Sequence, residues 1–136
     1  MSRHKKESVS TAQAPAPRGW YSQAVVVGDL VVTAGFGPVD PVTRELVGGD
    51  DVAEQTRQTL RNVAAALAAS GADLQDTVKV TAHLADVERD WDAFDAAYRE
   101  FFTEPLPVRT TAGSELGGIL VEIDVMAVKG CGPPAV

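Results

Sequence analysis

One arginine and two carboxylates stand out in the last third of the chain. Pro107-Val108-Arg109-Thr110-Thr111 and Ile119-Leu120-Val121-Glu122-Ile123-Asp124-Val125-Met126-Ala127-Val128 read as two strands of a hairpin looped through 113–118. A charge inside such an apolar pair is expensive unless it has a partner. A symmetric register sets Arg109 opposite Glu122, with Cβ atoms about 5 Å apart on one face, whereas a slip of one residue sends them to opposite faces. A planar guanidinium suits two-point capture of a small carboxylate, and Glu122 beside it is placed to orient or deprotonate a water. The plainer alternative is a cross-strand ion pair, worth only about 0–1 kcal/mol on a surface. Against it, Leu120, Met126 and Val128 share the face of Glu122 and lower the local dielectric. Asp124 either raises the pKa of Glu122 by like-charge repulsion or lies near the strand end in solvent, and the second is the preferred reading.

The elements that must position these groups follow from periodicity. Ala24-Val25-Val26-Val27 and Leu30-Val31-Val32-Thr33-Ala34 flank Gly28-Asp29 and predict a hairpin. Asp40-Pro41 and Gly48-Gly49 leave room for a short strand near Glu45 to Val47. Val52, Thr56, Leu60, Val63 and Leu67 recur at helical spacing after a capping-box pair, Asp51 and Glu54, and Gly71 ends the run. Val78, Val80, Ala82 and Leu84 alternate with Lys79, Thr81 and His83, which predicts a strand whose exposed set includes an unremarkable His83. Trp91, Phe94, Tyr98 and Phe101 form an apolar stripe on a second helix and are expected in the core.

This order gives an α+β fold in which crossover connections put both helices on one face of the sheet. The other face carries bulky apolar groups too, and copies of the same chain around a symmetry axis are the simplest cover. One domain, 18–129, is expected, between a disordered N-terminal tail, 1–17, and a flexible C-terminal tail, 130–136. The N-terminal tail combines Arg3-His4-Lys5-Lys6 with Ala14-Pro15-Ala16-Pro17, a composition that favours disorder.

A net charge of −7 opposes attraction to phosphate backbones, so nucleic acid is not an expected partner. No apolar run reaches the roughly 20 residues that span a bilayer, and membrane association is not expected. One cysteine, Cys131, and two histidines give no metal-ligand spacing, so no metal is expected. The absence of a secretory leader and of paired cysteines points to the cytoplasm.

From about Tyr21 to Val128 the chain resembles the RidA/YjgF family of reactive intermediate deaminases. The resemblance rests on Tyr21-Ser22-Gln23, Gly35, Phe101-Phe102, Pro107-x-Arg109 and Val121-Glu122-Ile123. It implies a chorismate-mutase-like βββαβαββ fold assembled as a barrel-like homotrimer with clefts between subunits, and no cofactor. It further implies that Arg109 grips the carboxylate of a 2-imino acid and that Glu122 positions water, these two being the catalytic pair. Backbone groups around Gly35 and Thr111 would contact the substrate, and Tyr21 would line the cleft from an adjoining subunit. Trp20 replaces a usual proline, Ala34-Gly35-Phe36 replaces the common Ser-Gly-Gln, and Thr111 replaces a frequent cysteine. The loop before Glu122 is also slightly shorter than usual. Phe36 and Trp20 are expected to alter the cleft.

The expected activity is hydrolysis of 2-aminoacrylate-type 2-imino acids to 2-oxo acids and ammonia. The alternatives are a member recruited to a specialised biosynthetic pathway with a bulkier imine, or a non-catalytic module that binds small carboxylates. Ribonuclease activity, also associated with the family, is disfavoured by the acidic charge and the lack of a plausible catalytic histidine.

Overall fold

The structure is a computed structural model that describes residues 4–134. Six strands form one mixed sheet: β1 (Glu7–Val9), β2 (Ala24–Val27), β3 (Leu30–Thr33), β4 (Thr77–Leu84), β5 (Val108–Gly113) and β6 (Val121–Val128). Their order across the sheet is β1-β2-β3-β6-β4-β5. The predicted first hairpin is present, since Val27 pairs with Leu30 and Gly28 takes a φ of 60°, the left-handed geometry that a tight two-residue turn needs.

Helix α1 (Val52–Ala69) starts where Asp51 accepts hydrogen bonds from the N–H groups of Ala53 and Glu54, satisfying two of the orphan donors of its first turn. Glu54 does not close the expected capping box; its carboxylate pairs with Arg57. Val52, Thr56, Leu60, Val63 and Leu67 are all buried, as their spacing predicts. Helix α2 (Val87–Arg99) is capped by Asp86 and buries Phe94, Ala97 and Tyr98. Both helices pack on the same face, over Val31, Val80, Ala82, Leu84, Val121, Ile123 and Val125, which together make the core. Each fully buried Val, Leu, Ile or Phe contributes about 1.5–3 kcal/mol.

Three expectations need correction. First, β5 and β6 are not a hairpin: β4 lies between them, parallel to β5 and antiparallel to β6. Residues 114–120 therefore cross the end of β4, held by Ser114 N–H to Leu84 O and Ala85 N–H to Leu120 O, both 3.0 Å. The reason lies in β4, whose Val80, Ala82 and Leu84 are completely buried and so demand a neighbour on each side.

Second, the segment expected to be a disordered tail is anchored from Glu7 onward, where β1 pairs with β2. Buried Gln23 donates to the carbonyls of Thr11, Ala14 and Pro15 and accepts from Thr11 N–H. One side chain thus satisfies a stretch whose composition alone reads as unstructured. Met1, Ser2 and Arg3 lie outside the described residues, as do Ala135 and Val136. The segment after β6 is also held, with Gly132 N–H on Asp76 at 2.8 Å.

Third, the strand expected near Glu45 to Val47 is a single bridge between Val39 and Leu46.

Candidate functional site

Apart from Phe36, the site residues expected from sequence fall into two clefts on opposite faces of one chain. Register shows why. Arg109 is level with buried Val80 on the helix-covered face, whereas Glu122 is level with His83 on the other. The direct Arg109–Glu122 pairing expected from a hairpin is therefore absent.

The Glu122 cleft has a volume of about 570 Å³ and is lined in part by Tyr21, Ser22, Val32, Gly35 and Glu122. A break in the sheet shapes it. Between the Val32–Met126 and Phe36–Ile123 pairs stand Thr33, Ala34 and Gly35 on one strand but only Asp124 and Val125 on β6, which is a bulge. Such bulges bend a strand and re-aim side chains. Thr33 Oγ1 mends the ladder by accepting from Val125 N–H at 3.0 Å, and the carboxylate of Glu122 lies over Gly35. Asn62 of α1 fixes the continuation, its amide donating to the carbonyls of Gly37 and Val39 at 2.9 and 2.8 Å.

Phe36, expected to line the cleft, is only 5% exposed and packs in the core beneath it. Its backbone bonds to Ile123 in both directions. The bulge is the cause, because it returns residue 36 to the inner face. Tyr21 is half-exposed and Trp20 fully exposed, and the Tyr21 hydroxyl accepts from Arg18 N–H at 3.2 Å.

Glu122 shares its face with Lys79, Thr81, His83 and Asp124. Asp124 sits in mid-strand, not at an end in solvent. Burial pushes its carboxyl above the ordinary value, against the opposing pull of His83 and Lys79. His83 is half-buried rather than exposed, its Nδ1 lying 2.6 Å from Ser114 Oγ.

The Arg109 cleft, about 640 Å³, is lined in part by Trp91, Asp95, Tyr98, Leu106, Arg109 and Thr111. The Arg109 side chain is only 17% exposed and donates through Nη1 to Asp95 Oδ1 at 2.8 Å. Its guanidinium carbon stands 4.5 Å from the Tyr98 ring centre, 5.2 Å from that of Phe94 and 5.6 Å from that of Trp91. Cation–π attraction of this kind strengthens as water is excluded. Asp95 also reaches Arg99 through its second oxygen, at 3.4 Å, so two cations share this one carboxylate. Burial pushes the Tyr98 hydroxyl up to about 12, opposed by the charge of Arg109.

Asp95, Tyr98 and Trp91 were not picked out as site residues from sequence. The signal was present, since the α2 stripe is the surface β5 must meet, yet all four aromatics read equally as core. Trp91 corrects that reading, being 41% exposed at the mouth of the cleft.

The family model described as endoribonuclease L-PSP matches residues 11–129. The chain belongs to this family. It is the RidA/YjgF family that the sequence resembles, and the fold agrees throughout. A RutC family protein of Pyrococcus horikoshii is 42% identical, covering 91% of this chain and 98% of its own. A 2-iminobutanoate/2-iminopropanoate deaminase of Bos taurus is 38% identical, covering 96% and 95%. Among solved structures, E. coli TdcF with bound serine superposes with a TM-score of 0.83 at 30% identity, covering 91% of this chain and 99% of that one. The family thus includes proteins named as imine deaminases and a protein crystallised with a small amino acid.

Among the described residues no cluster of three or more His, Cys, Asp or Glu can hold a metal ion. No described helix is long and apolar enough to cross a membrane.

Proposed function

We propose that the protein hydrolyses 2-imino acids to 2-oxo acids and ammonia in clefts completed between copies of the chain in a homotrimer. The observation that carries this reading is the division of the candidate residues. Arg109 and Thr111 lie on the edge strand β5, while Tyr21, Gly35 and Glu122 line a cleft on the helix-free face. Either half alone lacks what the other supplies. The helix-free face also exposes Leu30, Val32, Met126 and Val108, apolar area that a neighbouring subunit would cover. A closed head-to-tail ring brings the edge of each subunit to the face of the next, generating identical composite sites.

In such a site the N–H donors of Arg109 beyond Nη1 take the substrate carboxylate. The imine carbon then stands toward Glu122, which orients a water and removes its proton as the water attacks. Glu122 returns that proton to the carbinolamine nitrogen, the C–N bond breaks as C=O forms, and the hydroxyl proton passes to the departing ammonia, so the balance is iminium plus water to 2-oxo acid plus ammonium. Positioned proton transfer of this type is worth about 10²- to 10⁴-fold in rate. The family description names a ribonuclease, but a net charge of −7 opposes binding of a phosphate backbone.

Subunit mixing tests the proposal. Arg109→Ala and Glu122→Gln variants are each expected to be nearly inactive on imines generated in situ by an amino-acid oxidase. Mixed, unfolded and reassembled together, they should regain activity, because about a quarter of the interfaces in a random ring join an intact Arg109 to an intact Glu122. No recovery from a reassembled mixture would sink the composite site.

A further inference from the structure

The Arg109 cleft holds features that a small imine leaves unused. Trp91 continues the buried stripe of α2 yet remains 41% exposed, its indole flanking the guanidinium of Arg109. Leu106 and Pro107 face the same space. On the single chain this open cleft measures about 640 Å³, within the range of roughly 300–1,000 Å³ of sites for larger organic ligands.

Tyr98 adds an independent observation. It is only 7% exposed, and its hydroxyl is buried with no hydrogen-bond partner among the described residues. Its ring lies under the guanidinium of Arg109, 4.5 Å from ring centre to guanidinium carbon, and so helps to fix a cation able to take a carboxylate head group. The remaining polar groups set a limit on the ligand. Asp95 and Glu104 line the cleft against Arg99, so once Arg109 holds the head group the remaining charge is negative and disfavours a second carboxylate.

We infer that the cleft selects 2-imino acids with a large, uncharged apolar side chain, such as those formed by oxidation of phenylalanine or leucine, with Trp91 setting the preference over 2-aminoacrylate-type substrates. This rests on the deaminase reading and narrows its substrate class. The ligand's head group lies on Arg109, and its side chain lies along the indole.

The test compares imines made in situ by a D-amino-acid oxidase from D-phenylalanine and D-alanine, with semicarbazide trapping whatever imine the protein has not hydrolysed. The intact protein is expected to favour the benzyl imine over the methyl imine in kcat/KM by about tenfold or more, the scale on which apolar pockets discriminate. Trp91→Ala should collapse that ratio toward unity, and Trp91→Phe should keep most of it. Equal or better turnover of the methyl imine, or a ratio untouched by Trp91→Ala, overturns the inference. If neither imine is accelerated, the deaminase reading itself fails, and calorimetry with phenylpyruvate and pyruvate decides the pocket. Tighter binding of phenylpyruvate that is lost in Trp91→Ala upholds the selectivity, while equal or absent binding ends it.

Discussion

The carboxylate of Glu122 occupies the space that a β-carbon on residue 35 would need. An ideal Cβ built on Gly35 falls 3.0 Å from Glu122 Cδ and 3.2 Å from its Cγ, and nearer still to Oε1. The backbone of Gly35 is not left-handed, so the requirement for glycine here is one of room rather than of φ. Gly35→Ala should therefore fold but push the Glu122 side chain aside. The expected loss in kcat is about 10²-fold or more, the lower scale of positioned proton transfer. Adding Gly35→Ala to Glu122→Ala should cost almost nothing further in activity, and thermal melts should show the clash relieved. Full additivity of the two losses would show that Gly35 acts by another route.

Arg109 is held by shape as much as by charge. Its guanidinium lies over the Tyr98 ring while Nη1 bonds to Asp95, an arrangement that a lysine ammonium cannot reproduce. Arg109→Lys should retain the fold and lose most of kcat/KM, chiefly through KM, in steady-state assays. Asp95→Asn keeps a hydrogen-bond acceptor but removes a negative charge close to the bound carboxylate, and should lower KM several-fold. A rise in KM there would mean that the charge of Asp95 is needed to seat the guanidinium.

The sequence revealed helices more fully than it revealed neighbours. Val52, Thr56, Leu60, Val63 and Leu67 report their common face because helical spacing is a local property. The pairing of β5 with β4 is decided by which strand needs burial on both sides, and nothing between Pro107 and Glu122 encodes that. A short loop between two apolar runs reads as a hairpin, yet seven residues, 114–120, reach across one intervening strand as easily, since neighbouring strands lie only about 5 Å apart. The bulge at Thr33 to Gly35 was likewise invisible, and with it the burial of Phe36. Arg109 and Glu122 were nevertheless legible as individuals, because a charge among β-branched residues (Val and Thr around Arg109, Val and Ile around Glu122) is conspicuous wherever its partner lies.

Asn62 ties the helix layer to the Glu122 cleft. It is almost fully buried, and its amide satisfies the carbonyls of Gly37 and Val39. Asn62→Ala strands both acceptors, at a cost of about 1–3 kcal/mol for a buried group left unpaired. Chemical denaturation should show that loss as a lower midpoint with unchanged slope. Because these carbonyls lie two and four residues beyond Gly35, imine hydrolysis should fall as well, at temperatures where the variant remains folded.

Asp124 makes stability depend on pH in a direction opposite to that of an ordinary surface carboxylate. Burial raises its pKa above the usual 3.8, while His83 and Lys79, which face it from β4, pull the other way and lose. A group that binds its proton more tightly when folded than when unfolded favours the folded state fully below the unfolded value. That advantage is lost as pH rises from 3.8 through the raised folded value, and above both the ionised carboxylate is a constant cost. Asp124→Asn removes the ionisation. The variant should therefore have a higher urea midpoint than the parent at pH 7, with the difference shrinking as pH falls toward 3.8 and vanishing below it. Denaturation curves between pH 3 and 8 measure this, and a variant less stable than the parent at pH 7 would show that attraction to His83 and Lys79 outweighs burial.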